Sequence, residues 1–360
     1  LTNNIILKQS GFELNQNMTN KCYLSKNYKG LQNAGNKAKT DIEKILQQNG
    51  FRNAGLKQTI CTNKILGFII TLLGVLKAPF CLRKGNVLLL QYPLKKYYCF
   101  VCNMAHLRGA KVITLIHDLG SFRRQKLTVL QEIKRLSHSD YIIAHNVSMK
   151  NWLEQQGCKI PIGCLEIFDY LSETTAPVRP APQIPYGIVY AGGLSPRKNA
   201  FLYEIGEFIS NYHINLYGNG FEPEKAKGKE HFTYKGFVPS DQLIAKAEGD
   251  FGLVWDGDSI SSCSGNWGEY LQYNNPHKTS LYIRCELPVI IWKKAALAPF
   301  IEKNHIGITI SSLTELNERL KALTPEEYKQ MKTNIATVSN RLANGYYCTK
   351  AVEEALNALA

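Results

Sequence analysis

His117 and Asp118 close the apolar run KVITLIHD, so two titratable groups sit side by side at what reads as the carboxyl end of a strand. Either group there can take a proton from a hydroxyl across a cleft, which is general-base work. His145, in YIIAHN, has a similar place. Further along, GIVYAGGLSPRKNAF runs from a strand through Gly192 and Gly193 into a predicted helix start that carries Arg197 and Lys198. Glycines let a backbone approach a ligand closely, and cations beside a helix N-terminus suit an anion. The stretch NNPHKTSLYIRCELPVII, beginning at Asn274, opens a second helix on Pro276, His277 and Lys278, with Thr279 and Ser280 behind them. Proline is ordinary at a first helical position. A lysine in the same turn is opposed by the positive helix end. An anion over that end removes the conflict, because the lysine and the free N–H groups then share it.

Other residues leave their chemistry open. Tyr217, in NLYGNG, can stack on a base or cap a core. Asp256 and Asp258, in FGLVWDGDSI, can hold a divalent metal on a diphosphate or simply form an acidic turn. The chain has no GxGxxG or Walker lysine motif and no G-x-S-x-G elbow, which argues against dinucleotide, NTPase and serine-hydrolase chemistry of those types.

The elements needed to position these residues follow from hydrophobic patterning. Short apolar runs alternate with longer amphipathic ones, which predicts parallel sheets covered by helices on both faces. The alternation starts near Met18, so residues 1–17 read as an extension. It pauses at 171–187, where prolines 177, 180, 182 and 185 predict a stiff connector. It resumes through 188–345, and a last helix in 346–360 is expected to cross back onto the first domain. The reading is two doubly wound α/β domains, 18–170 and 188–345, whose strand ends face a common cleft.

Bulk properties narrow the class. Of the net +14, residues 1–170 hold 24 Lys+Arg against 9 Asp+Glu, while the remainder is near neutral. Such a body suits an anionic substrate or membrane surface, and no nucleic-acid motif accompanies it. The ten cysteines are irregularly spaced, and the CxxC at Cys99 and Cys102 has no second pair, so reduced thiols and a cytoplasmic location are expected. The twelve apolar residues 65–76 are too few to span a bilayer, which needs roughly 20. A core helix is the favoured reading and an anionic-membrane helix the other.

LIHDLGSFR, AGGLSPRKNAF, NLYGNG, FGLVWDGD and YNNPHKTSLYIRCELPVII occur in the order seen in bacterial galactofuranosyltransferase-like glycosyltransferases, and the chain resembles that family from Met18 onward. The group takes in β-1,6-galactofuranosyltransferases of polysaccharide assembly and a streptococcal adhesin glucosyltransferase. The resemblance implies a GT-B fold, a UDP-sugar donor held mainly by the C-terminal domain, no metal or other cofactor, and a homo-oligomer. It also implies that Lys198, Tyr217 and Lys278 contact UDP, that Asn275, His277, Thr279 and Ser280 wrap the diphosphate near Gly193, and that Asn33 and Gly35 lie in a nucleotide or acceptor loop. The expected activity is inverting sugar transfer to a glycan hydroxyl, with Asp118 as base and His117 as neighbour or replacement, and a lipid-linked acceptor would suit the basic first domain. The alternative is a non-catalytic nucleotide-sugar or glycan-binding subunit of a glycosylation complex.

Overall fold

The computed structural model describes residues 21–28, 34–122 and 125–360. Asn33 and the stretch 1–17 lie outside the described residues. In chain order the strands are β1 (Lys21–Tyr23), β2 (Asn27–Tyr28), β3 (Arg52–Asn53), β4 (Thr59–Ile60), β5 (Val87–Tyr92), β6 (Lys111–Ile116), β7 (Tyr141–Ala144) and β8 (Ile162–Cys164), followed by β9 (Tyr186–Gly193), β10 (Tyr212–Asn219), β11 (Phe232–Gly236), β12 (Phe251–Val254), β13 (Val289–Trp292) and β14 (Gly307–Ile310).

Two parallel six-stranded sheets result, ordered β3-β1-β5-β6-β7-β8 and β11-β10-β9-β12-β13-β14, with β2 and β4 forming a small parallel pair. Continuous apolar strands are buried on both faces, as parallel sheets require. Along β5, Leu88, Leu90 and Tyr92 enter one core with the Tyr98–Leu107 helix, while Val87 and Leu89 enter another with the Ala34–Gln48 helix. In each sheet the strand order reverses once, between β1 and β5 and between β9 and β12. Ligands of open α/β sheets bind outside the strand ends at such points.

Between Cys164 and Tyr186 the chain forms no helix or strand. Arg179 pins this connector to the second domain by donating to the carbonyls of Cys285 at 2.6 Å and Ala247 at 3.0 Å. The Pro325–Ala343 helix, opened by a Thr324–Glu327 capping box, buries Ile335, Val338 and Leu342 in the second core. Gly345 turns the chain, and the Tyr346–Leu359 helix then places Cys348, Ala351, Val352 and Ala355 in the core of the first domain. Asp169 accepts hydrogen bonds from the Tyr347 and Cys348 N–H groups at the start of that helix.

The apolar stretch departs from the core reading. The helix is 18 residues long, Lys64–Cys81, and its buried positions are mainly small: Gly67, Gly74, Val75, Ala78 and Pro79. Its large side chains face outward, Ile65 being 74% and Phe80 83% exposed. By length and composition alone it is long and apolar enough to cross a membrane. All ten cysteines are free thiols.

Candidate functional site

The carboxyl ends of both sheets line one cavity of about 1090 Å³. From the first domain come His117 and Asp118 after β6, His145 after β7, Lys39 and Gly35. From the second come Gly192 and Gly193 on β9, Tyr217 on β10, Asp256 after β12, Lys198, and the opening turn of the His277–Arg284 helix.

Strand ends meet closely on the second-domain wall. Gly192 and Gly218 are register partners on β9 and β10, and Gly218 has φ 147°. A Cβ at Gly218 would fall 1.8 Å from the Gly192 carbonyl oxygen, so only glycine fits. The Tyr282 hydroxyl accepts from the Ala191 N–H at 2.8 Å and so ties the His277–Arg284 helix to the same strand.

Asp256 organises the charges. Its Oδ1 accepts from Lys278 Nζ at 2.8 Å and from the Tyr190 hydroxyl at 3.0 Å, and Lys198 Nζ lies 3.9 Å away. Burial works against ionisation of this carboxyl. Lys278, Lys198 and the two hydrogen bonds outweigh burial and hold Asp256 below the usual carboxylate range. Lys278 lies over the Tyr190 ring at 4.5 Å, and Lys198 lies over that of Trp267 at 5.4 Å. Asp258 is turned to Ser264 instead, so the two aspartates do not converge on one point.

Two expectations about this wall change. Lys198 does not sit at a helix start: residues 195–199 form a turn in which the Ser195 carbonyl accepts from the Lys198 and Asn199 N–H groups, and the following helix is only Phe201–Glu204. Tyr217 is 4% exposed, and its hydroxyl accepts from the Glu248 N–H at 3.0 Å, so the residue is a core member that also borders the cavity.

At the 275–280 turn the side chains divide. Asn275 joins the two domains: its N–H donates to His145 Nδ1 at 2.9 Å, its Nδ2 to the carbonyls of His145 and Glu166, and its Oδ1 accepts from Asn146. Ser280 Oγ donates to the Phe168 carbonyl at 2.6 Å, and Thr279 is fully buried. The Asn275 and Ser280 side chains therefore face the domain junction rather than an anion, while the buried Thr279 hydroxyl makes no hydrogen bond. His277 stacks on Tyr170 at 4.9 Å, its Nε2 is buried without a hydrogen bond, and burial lowers its pKa to about 3. Lys278 is the side chain of this turn that reaches the charged centre.

On the first-domain wall, His117 Nε2 lies 2.6 Å from Gln91 Oε1. Gln91 Nε2 donates to the Lys39 carbonyl, which orients the amide so that its oxygen accepts from His117. That leaves His117 Nδ1 as the lone-pair nitrogen. Burial first, then the nearby Lys39, holds the imidazole neutral, well below its ordinary pKa. Asp118 is half-buried beside it on the cavity wall. Gln91, Tyr190 and Lys39 escape sequence reading because their types are common in cores and on surfaces, and only the folded contacts bring them to the site.

Comparison with known proteins follows the same division. The glucosyltransferase 3-like N-terminal domain matches residues 21–167, and the glucosyltransferase 3-like C-terminal domain matches 188–355. The chain is 35% identical over 281 residues to the β-1,6-galactofuranosyltransferase WbbI of Escherichia coli K12, covering 77% of this chain and 81% of that protein. It is 25% identical over 252 residues to glucosyltransferase 3 of Streptococcus gordonii, covering 69% and 71%. Among solved structures, the apo form of the lipopolysaccharide outer core galactosyltransferase WaaB superposes with a TM-score of 0.60 at 12% identity, covering 95% of this chain and all of that one. Anabaena HepE in complex with UDP-glucose gives 0.55 at 13% identity, covering 94% and 99%. The fold is GT-B, and the chain belongs to the glucosyltransferase 3-like family of glycosyltransferases.

Proposed function

We propose that this chain transfers galactofuranose or glucose from a UDP-sugar to a hydroxyl of a glycan acceptor, with inversion, in polysaccharide or glycoprotein glycan assembly. The observation that carries the reading is the convergence of Lys278 and Lys198 on buried Asp256, beside a helix N-terminus in the interdomain cavity. One carboxylate against two ammonium groups leaves a net positive centre, and a diphosphate supplies the missing negative charge. The His277–Arg284 helix starts there without a side-chain cap, so first-turn N–H groups remain for the same oxygens. Departure of UDP is then stabilised by groups already in place. Lys198 and Lys278 take the neutralising role that a divalent metal has in other transferases.

On the opposite wall Asp118 takes the proton of the attacking hydroxyl, while His117, held by Gln91, orients the acceptor with Nδ1. An anionic, lipid-linked acceptor would suit the basic first domain.

The test is UDP release from a panel that includes UDP-galactofuranose and UDP-glucose, with and without EDTA, alongside calorimetric UDP binding. Turnover of one donor, unchanged by EDTA and lost in Asp118→Asn with UDP binding kept, is the expected result. Full turnover in both Asp118→Asn and His117→Ala would remove the base assignment. Absence of UDP binding by the wild type would overturn the donor site.

A further inference from the structure

From Lys44 through His117 the chain carries eleven Lys and Arg and no Asp or Glu. The Lys64–Cys81 helix lies inside this acid-free stretch. Its inner face rests on the first domain through small residues. A Cβ at Gly67 would fall 2.6 Å from Asn27 Nδ2, and one at Gly74 3.3 Å from the Leu56 nitrogen, so the helix lies flat and close. The outer face is apolar. Ile65, Ile69, Leu73, Leu76 and Phe80 are all exposed, and their spacing of three or four residues puts them on one stripe. Exposed Lys64 lies at one end of the stripe and Arg83 and Lys84 at the other. Lys96 lies 5.0 Å from the centre of the exposed Phe68 ring. Ile60, four residues before the helix, is 56% exposed and also lines the interdomain cavity, so the apolar surface reaches the cavity mouth.

A contiguous stripe of this kind marks an interaction surface, unlike scattered exposed leucines. Its surroundings select the occupant. A second copy docked through this face would bring two acid-free cationic borders together. A membrane-crossing course would strip Gly67 and Gly74 from the contacts their missing side chains permit. An anionic lipid surface takes the apolar stripe into its acyl boundary and the flanking ammonium and guanidinium groups against its phosphates.

We propose that the Lys64–Cys81 helix lies in the interfacial plane of an anionic bilayer and holds the cavity mouth at that surface. The consequence for acceptor delivery rests on the transferase reading, since a lipid-linked glycan would then enter past Ile60 by diffusing in the membrane.

The experiment is flotation of the full chain with vesicles of phosphatidylcholine, with or without phosphatidylglycerol. Wild type is compared with the Leu73→Glu/Phe80→Glu double variant, and UDP binding and sedimentation are measured on the same samples. Wild type should float with phosphatidylglycerol vesicles, and the double variant should lose at least about tenfold in partitioning while keeping UDP binding. Raising salt from about 0.1 M to about 1 M, which shortens the Debye length from about 10 Å to about 3 Å, should release wild type. No flotation of wild type, or flotation indifferent to the double substitution, overturns the proposal. So does a concentration-dependent dimer dissolved by those substitutions, which would give the face to a second copy. Retention through alkaline carbonate washing, the mark of a spanning helix, also overturns it. Failure of wild type to bind UDP would instead count against the transferase reading, because flotation is read without turnover.

Discussion

Substituting Lys278→Met isolates the charge pair at the centre of the site. Methionine keeps the length and apolar stem of the lysine and removes its charge. Lys278 and Asp256 are 12% and 11% exposed, and their charged atoms lie 2.8 Å apart. Orphaning one member of a buried pair costs about 3–5 kcal/mol. Lys198, 3.9 Å from the same oxygen, and the Tyr190 hydroxyl remain. The expected loss of stability at neutral pH is therefore about 2–4 kcal/mol. The pH dependence has a definite sign. In wild type the depressed Asp256 carboxyl contributes stability above the ordinary carboxylate pKa, and that contribution is lost as pH falls through its folded value. In the variant, burial is opposed only by Lys198 and the Tyr190 hydroxyl, the carboxyl moves upward, and acid relieves the buried charge. The stability gap between the two proteins should thus narrow as pH falls from 7 toward 4. Urea denaturation followed by tryptophan fluorescence reads the gap, with Trp255 adjacent to Asp256. Calorimetric titration should show UDP affinity lower by about 10- to 150-fold, the value of one charge-assisted contact of roughly 1.5–3 kcal/mol. A destabilisation below about 0.5 kcal/mol with unchanged UDP affinity would refute the reasoning entirely, since an orphaned buried carboxylate cannot be that cheap. A large destabilisation with unchanged affinity would keep the Asp256 pairing and remove Lys278 from the diphosphate.

Further outcomes follow from other contacts. Gly218→Ala should cost about 2–4 kcal/mol in thermal denaturation, because its Cβ meets the Gly192 carbonyl oxygen. Gly193→Ala, whose nearest contact would be Lys198 Cδ at 3.6 Å, should fold with a loss under about 1 kcal/mol and weaken UDP binding instead. Ser280→Ala should lower stability by about 1 kcal/mol through the unpaired Phe168 carbonyl, with UDP affinity within about twofold of wild type. Because folded His277 titrates at about 3 and an unfolded histidine near 6.5, the unfolded chain takes this proton first and stability falls as pH drops below about 6.5. Glu43 and Asp169, both pushed up to about 7 by burial, act in the opposite direction and mask the effect in the whole curve. It should emerge in the comparison with His277→Phe: between about pH 7.5 and 5.5 the wild type loses about 1.4 kcal/mol relative to the variant in urea midpoints.

The sheets were legible because continuous apolar runs such as VLLLQY and VIIW have one stable environment, a parallel strand covered on both faces. Lys278 stood out because its charge opposes its own helix end. Asn275 and Ser280 did not separate from it in sequence, as their types also suit phosphate binding. Their partners, His145, Asn146 and Phe168, lie more than 100 residues away, and only the packed domains reveal them. The apolar helix misled for a related reason. A segment without a polar face gives no sign of which side meets the protein, and the cue was the small residues Gly67 and Gly74, seven apart. At Lys198 a Pro-containing turn delays the helix, so strand–turn–helix reading set the boundary several residues early.

The placement of Cys348, Ala351, Val352 and Ala355 beneath the first sheet has a consequence for biosynthesis. The first domain's other core residues have all been translated by Phe168, yet the helix that closes its core emerges only after the whole second domain has been made. At roughly 5–20 residues per second, the nascent first domain must wait about 10–40 s with Ile45 of its first helix and Tyr141 and Ile143 of β7 incompletely covered. Vectorial folding, domain by domain, therefore leaves the first domain one helix short until synthesis ends. Maturation of its first domain is a late event that depends on the second, and chaperone engagement is expected to concentrate on that interval.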